Sequence, residues 1–103
     1  MADFTKILQQ AQQMQGRLQQ IQDELGNMTV TGVSGGGMVS VTADGKGQVR
    51  SVKLDPSVVN PADVEMLEDL IAVAVADAQK KATDLAQEEM RKLGGALPFK
   101  LPF

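Results

Sequence analysis

The chain has 103 residues, enough for one domain with a modest core, and its 10 basic and 13 acidic residues give a formal charge of −3. It contains no Cys, His, Trp or Tyr, which excludes disulfides, thiolate nucleophiles, imidazole bases and the usual zinc ligands. The negative balance does not advertise nucleic-acid binding. The acidity is local, however. Residues 55–75 hold five acidic groups (Asp55, Asp63, Glu65, Glu68, Asp69) and no basic one, whereas 1–54 and 76–103 each hold five basic and four acidic. The opening Met1-Ala2-Asp3-Phe4-Thr5 lacks the basic and apolar regions of a secretory signal. The longest apolar run, Leu70 to Ala76, is far short of the ~20 residues a membrane span needs. The expectation is a cytoplasmic protein without membrane contact.

The first predicted element is a helix from Phe4 to Met28. Phe4, Ala11, Leu18 and Leu25 form one apolar row and Ile7, Met14, Ile21 and Met28 another, each stepping by seven and offset by three. That a/d heptad marks a helix burying one narrow seam against a partner helix. Gln fills most other positions. Asp3 or Thr5 is placed to cap the start, Gly16 lies opposite the seam, and Gly26-Asn27 is expected to end the helix as a left-handed cap.

Three short strands follow. Thr29-Val30-Thr31 leads to Gly32. Met38 to Asp44 alternates Val39, Val41 and Ala43 with Ser40, Thr42 and Asp44, the period-two pattern of a half-buried strand. Asp44-Gly45-Lys46-Gly47 reads as a hairpin turn in which Asp-Gly supplies positive φ. Gln48 to Leu54 is the return strand. Three strands alone are marginal, so helices must cover one face.

Asp55-Pro56 ends the third strand. Asn60-Pro61-Ala62-Asp63 predicts a helix start with Asn60 as N-cap and Pro61 in the first turn. The helix is expected to run to about Leu93 and stop at Gly94-Gly95. From Val64 to Ala78 it is apolar nearly all round, which predicts burial on several sides. Beyond Ala78 the stripe narrows to Ala82, Leu85, Ala86, Met90 and Leu93, matching the first helix in needing one partner. The domain division is thus 1–95, followed by an extended apolar tail over 96–103, Ala-Leu-Pro-Phe-Lys-Leu-Pro-Phe. Its prolines exclude helix, and docking on the body is the expected role.

Few groupings are suited to chemistry. Gly35-Gly36-Gly37 precedes a strand, without the helix or the Lys-Ser/Thr pair of a phosphate loop. It reads as a strand connection. Glu65, Glu68 and Asp69 sit at a helix start, where they offset the positive end of the dipole. The seam methionines read as core filler. No catalytic or metal-binding residue and no cofactor is assigned, and an enzyme has no convergent cluster to work with.

The basic residues are the remaining candidates. Lys6 and Arg17 are eleven apart, as are Lys80 and Arg91, and Lys81 and Lys92. Eleven residues is three helical turns plus about 20°, so each pair shares a face about 16 Å apart, a spacing that can follow phosphates along a groove. Asp77–Lys81 and Glu88–Lys92 are also ordinary i,i+4 ion pairs. Arg17 has no carboxylate three or four residues away, only Gln13 and Gln20. It is the basic group best placed for an outside anion.

The full pattern resembles the YbaB/EbfC family of bacterial nucleoid-associated proteins. The stretches that carry the likeness are Ala11-Gln12-Gln13-Met14-Gln15, Val30-Thr31-Gly32 with Gly37-Met38-Val39, Val52-Lys53-Leu54-Asp55-Pro56-Ser57, Met66-Leu67-Glu68-Asp69-Leu70 and the terminal Pro-Phe. The resemblance implies an α+β protomer of order α-β-β-β-α, a three-stranded antiparallel meander and two long helices forming a projecting arm. It also implies a tweezers-like homodimer that binds double-stranded DNA in the nucleoid and alters its conformation, with contacts near the arm tips. Lys6, Arg17, Lys80, Lys81, Arg91 and Lys92 are selected as contacts by the spacing above. The expected partners are therefore double-stranded DNA and a second copy, with no small-molecule substrate. The competing expectation is a protein-interaction adaptor using the heptad helix and the apolar tail. The expected pairing places the heptad against Ala78–Leu93 of the same chain and dimerisation at the sheet and Leu70–Ala76.

Overall fold

A computed structural model of the protein describes residues 2–95. The order is helix α1 (Ala2–Asn27), strands β1 (Thr29–Ser34), β2 (Val39–Asp44) and β3 (Val49–Leu54), and helix α2 (Val64–Gly95), with 3-10 turns at Gly35–Gly37 and Pro56–Val58. The α-β-β-β-α order and the antiparallel meander β1-β2-β3 are as the sequence predicts. The predicted tail over 96–103 lies outside the described residues.

The core is the layer between the sheet and α2. Val39, Val41 and Ala43 of β2 are fully buried and meet Ala74 and Ala78 of α2, with Val58 closing one side. Gly32 pairs with Val41 and sits on this same inner face. A Cβ there would stand 2.7 Å from Ala78 Cα and closer still to Ala78 N and Ala74 O. The missing side chain is what lets the α2 backbone lie directly on β1. Small residues on both partners, alanine on the helix and glycine on the strand, set this close approach.

Local signals differ from expectation at four boundaries. Gly26 has no positive φ. The α1 end instead closes through the Met28 N–H donating to Leu25 O (3.2 Å) and Asn27 Nδ2 to Asp23 O (3.1 Å). In the β2–β3 turn the left-handed residue is Gly47 (φ 89°). Gly45 is needed for another reason: a Cβ would lie 2.6 Å from Leu25 O, which accepts its N–H at 2.8 Å. Asn60 starts a turn, its Oδ1 accepting from Ala62 N (3.0 Å), and the cap of α2 is Asp63, whose Oδ1 accepts from Met66 N (3.2 Å). Pro61 therefore precedes the helix. At the start of α1, Asp3 falls within the first turn, where its charge suits the positive helix end.

Two burial expectations change. The start of α2 is covered on one side only: Val64, Met66 and Val73 are exposed, as are Ala72 and Ala76. All six residues of β3 are exposed too. The heptad pairs with α2 over its second half alone. Leu25 is buried and Leu18, Ile21 and Met14 are half-buried, whereas every residue from Asp3 to Gln13 is exposed. The described part of α2 ends beside the middle of α1, and among the described residues nothing covers the outer half of α1. The protomer consequently measures 73 × 20 × 16 Å.

Candidate nucleic-acid interface

The arm is anchored at its base by Leu25, Met28 and Gly45. The Gly45 N–H donates to both Leu25 O (2.8 Å) and Met28 O (3.1 Å). Asp44, buried at the adjoining strand end, accepts from the Lys46 N–H (2.9 Å), the Gln48 N–H (3.1 Å) and Arg50 Nε (3.0 Å). Burial pushes the Asp44 carboxyl upward, but the two N–H groups and Arg50 outweigh it and hold it below the usual carboxylate range. The hairpin that holds the arm is thus organised around one ionised carboxylate.

The six predicted cations do not share one surface. Lys6 stands exposed on the projecting half of α1. Arg17, also exposed, lines a shallow groove across the helix pair with Gln20, Ile21, Glu24, Glu89, Lys92 and Leu93. Arg17 and Lys92 are therefore brought together from opposite ends of the sequence. Lys92 Nζ pairs with Glu89 (3.2 Å), and Gln20 Nε2 donates to Glu24 (3.2 Å). Gln20 is thereby committed to its own helix. Arg17 forms no ion pair among the described residues.

Arg91 faces the other flank of the helix pair. It pairs with Glu88 (2.9 Å) and lines a larger groove with Gln22, Leu25, Lys46 and Met90. The expected Glu88–Lys92 pair is absent among the described residues, because both carboxylates reach forward by three residues instead of four: Glu88 to Arg91 and Glu89 to Lys92. Lys46 is a cation that the sequence reading passed over. Its Asp-Gly-Lys-Gly context signals a turn, and only the packing of the hairpin against the helix pair places it beside Arg91.

Lys80 and Lys81 lie lower, on the body. Lys80 is exposed. Lys81 Nζ donates to Thr31 O (2.9 Å) and pairs with Asp77 (3.2 Å), while the Val33 N–H donates to Asp77 Oδ2 (3.0 Å). The Val33 N–H, then Lys81, hold the Asp77 carboxyl below its usual range. This pair satisfies outward-facing backbone groups of β1, and Lys81 is occupied by it. β3, the other edge, has all its residues exposed and carries Val49, Val52 and Leu54.

The start of α2 is purely acidic, whereas its residues 76–95 mix four acidic with four basic side chains. Asp63, Glu65 and Asp69 gather at its start, beside Ser34 and Val73. Asp69 and Lys92 are 23 residues apart, about 35 Å along the helix, several times the ~8 Å screening length at physiological salt. The acidic end is electrostatically remote from the arm. Among the described residues no group of three or more acidic side chains is arranged to hold a metal ion, and no helix is long and apolar enough to cross a membrane.

Residues 1–97 match the YbaB/EbfC DNA-binding family. The chain belongs to this family. Its relatives in it include a protein named nucleoid-associated protein from Gemmatimonas aurantiaca, 55% identical over 98% of this chain and 99% of its own length. Proteins of the same name from Rhodospirillum rubrum and Gluconacetobacter diazotrophicus are 48% and 46% identical, covering 99% and 100% of this chain and 94% and 98% of theirs. In fold the YbaB/EbfC chain is similar to the crystal structure of an uncharacterised protein from Helicobacter pylori, with a TM-score of 0.78, 23% identity, and coverage of 87% of this chain and 95% of that one. The family match therefore agrees with the likeness read from the sequence.

Proposed function

We propose that the protein binds double-stranded DNA in the nucleoid as a homodimer, with little sequence preference, and alters the conformation of the duplex. The observation that carries this reading is the exposed outer face of α1, where Lys6 on the projecting half and Arg17 on the α2-paired half stand about 16 Å apart. Lys92 reinforces Arg17 from α2. These groups suit phosphate neutralisation, which is independent of base sequence. Lys80 and Arg91 remain secondary contacts in this reading, with Lys46 added beside Arg91. Lys81 is withdrawn, since the β1 edge holds it.

The homodimer is supported by what the protomer leaves uncovered. Val52 and Leu54 on β3 and Val64, Met66 and Val73 on α2 are large apolar side chains left exposed by the protomer, as surfaces that pair with a second copy are. The β1 edge is capped by Asp77 and Lys81, and among the described residues the β3 edge has no such cap, which favours assembly on the β3 side. Two arms extending from one body would hold a duplex between them. This reading assigns the chain no reaction, cofactor or small-molecule substrate.

The test is a gel-shift series on unrelated duplexes across a range of salt, with light scattering for the mass of the free protein. Comparable shifts on all duplexes and a dimeric mass are expected. Failure to shift any duplex at low salt, or a shift of one sequence alone, would sink the reading.

A further inference from the structure

The projecting half of α1 presents more than cations. Phe4, Ile7 and Leu8 are 64%, 60% and 50% exposed, and Ala11 is exposed as well. Spaced i, i+3, i+4 and i+7, these residues form one continuous apolar stripe. The stripe extends the seam that α2 covers at Leu18, Ile21 and Leu25. Leu93, the last side chain of α2 to be buried, lines a groove with Arg17 and Ile21. The seam therefore runs on beyond the point where α2 stops covering it.

The chain itself holds a segment of matching length and pattern. Eight residues follow Gly95, and Leu97, Phe99, Leu101 and Phe103 alternate in them with Pro98, Lys100 and Pro102. In an extended chain that alternation puts four apolar side chains on one face. Eight extended residues reach about 26 Å. From Leu18 to Phe4 is 14 residues of helix, about 21 Å. α2 runs towards the tip of the arm, so its last turn points along the stripe. At about 3.3 Å per residue, an extended path from Gly95 along the stripe would bring Leu97 level with Met14, Phe99 with Ala11 and Leu101 with Ile7.

We propose that residues 97–103 dock in extended form along the Phe4–Ile7–Ala11 stripe of their own chain's α1, taking over from α2 as the second half of the arm. The docked segment hides the apolar stripe at the tip and braces the helix that carries Lys6 and Arg17. The inference concerns the arm alone and stands whether or not the arm contacts DNA.

The chain has no cysteine, so two can be introduced without background. The full-length double variant Ile7→Cys/Leu101→Cys is oxidised mildly at low protein concentration. Its control is Gln9→Cys/Leu101→Cys, at the same level but on the opposite face of α1. Free thiols are titrated, and denaturing gels without reductant report chain mass. Expected is loss of both thiols in the first variant at the mass of a single chain, with most thiols retained in the control. Equal oxidation of both variants, oxidation of neither, or a disulfide formed between chains would overturn the proposal. Circular dichroism of each variant confirms that α1 is intact, and both altered α1 positions are exposed, so neither substitution opens a core cavity.

Discussion

Replacing Arg17 by Ala removes a cation that no carboxylate of the described protein holds, so its effect should appear in DNA binding and nowhere else. One phosphate contact contributes a slope of about −0.9 to the dependence of log affinity on log salt. A homodimer carries the substitution twice, so the slope should become shallower by about 1.8. Between 50 and 200 mM salt, a fourfold range, that difference amounts to about tenfold: the variant's deficit is largest at low salt and shrinks by this factor across the range. Arg17 is exposed and its groove is shallow, so the melting temperature and the dimer mass should not move. Fluorescence anisotropy on one labelled duplex at four salt concentrations measures the slope directly. Lys81→Ala is the internal contrast, because Thr31 O and Asp77 already hold that ammonium. Its slope should match the parent's. An unchanged slope in Arg17→Ala, or an equal change in Lys81→Ala, would refute the assignment of contacts made from the ion pairs.

Three further outcomes follow from the fold. Gly32→Ala should destabilise by about 3 kcal/mol, the upper end for overpacking, because the atoms it meets belong to the α2 backbone and cannot swing aside; the urea midpoint reads this. Asp77→Asn removes the charge that holds Lys81 over the β1 edge, so the variant should form larger, concentration-dependent species by edge pairing, visible in sedimentation. Asp44, Asp55 and Asp77 all have carboxyl pKa values lowered from 3.8. A lowered folded-state value favours folding above the unfolded value and loses that contribution as pH falls through the folded one. Stability should therefore be level above pH ~5 and fall steadily below ~4, with the fall reduced in Asp44→Asn, as thermal melts across pH would show.

Much of the fold was legible in local patterns. Alternation of Val39, Val41 and Ala43 identified β2 and its buried face, because a strand's side chains alternate whatever surrounds it. The sheet-facing side of α2 was not legible in the same way, because Val64 to Ala78 is apolar nearly all round and only packing singles out Ala74 and Ala78. The candidate site was less legible. Cations eleven residues apart on one helix were found by spacing, but spacing does not say which is occupied. Lys81 is tied to a β1 carbonyl fifty residues away in sequence, and Lys46 lines the same groove as Arg91 only because the hairpin packs against the helix pair.

The sequence by itself determined the elements, their order, the heptad seam and the confinement of the net acidity to residues 55–75. These follow from propensity, periodicity and charge, which act over a few residues. Tertiary structure alone decided how far α2 covers the seam, and therefore that α2 leaves the outer half of α1 exposed. It decided that Gly45 serves Leu25 and that Gly32 admits the α2 backbone, since both depend on which atoms arrive from distant elements. It also decided which ammonium and guanidinium groups remain turned to solvent. A charge is committed by the partner that folding brings within hydrogen-bonding distance, and that partner is set by the packing of helix on sheet.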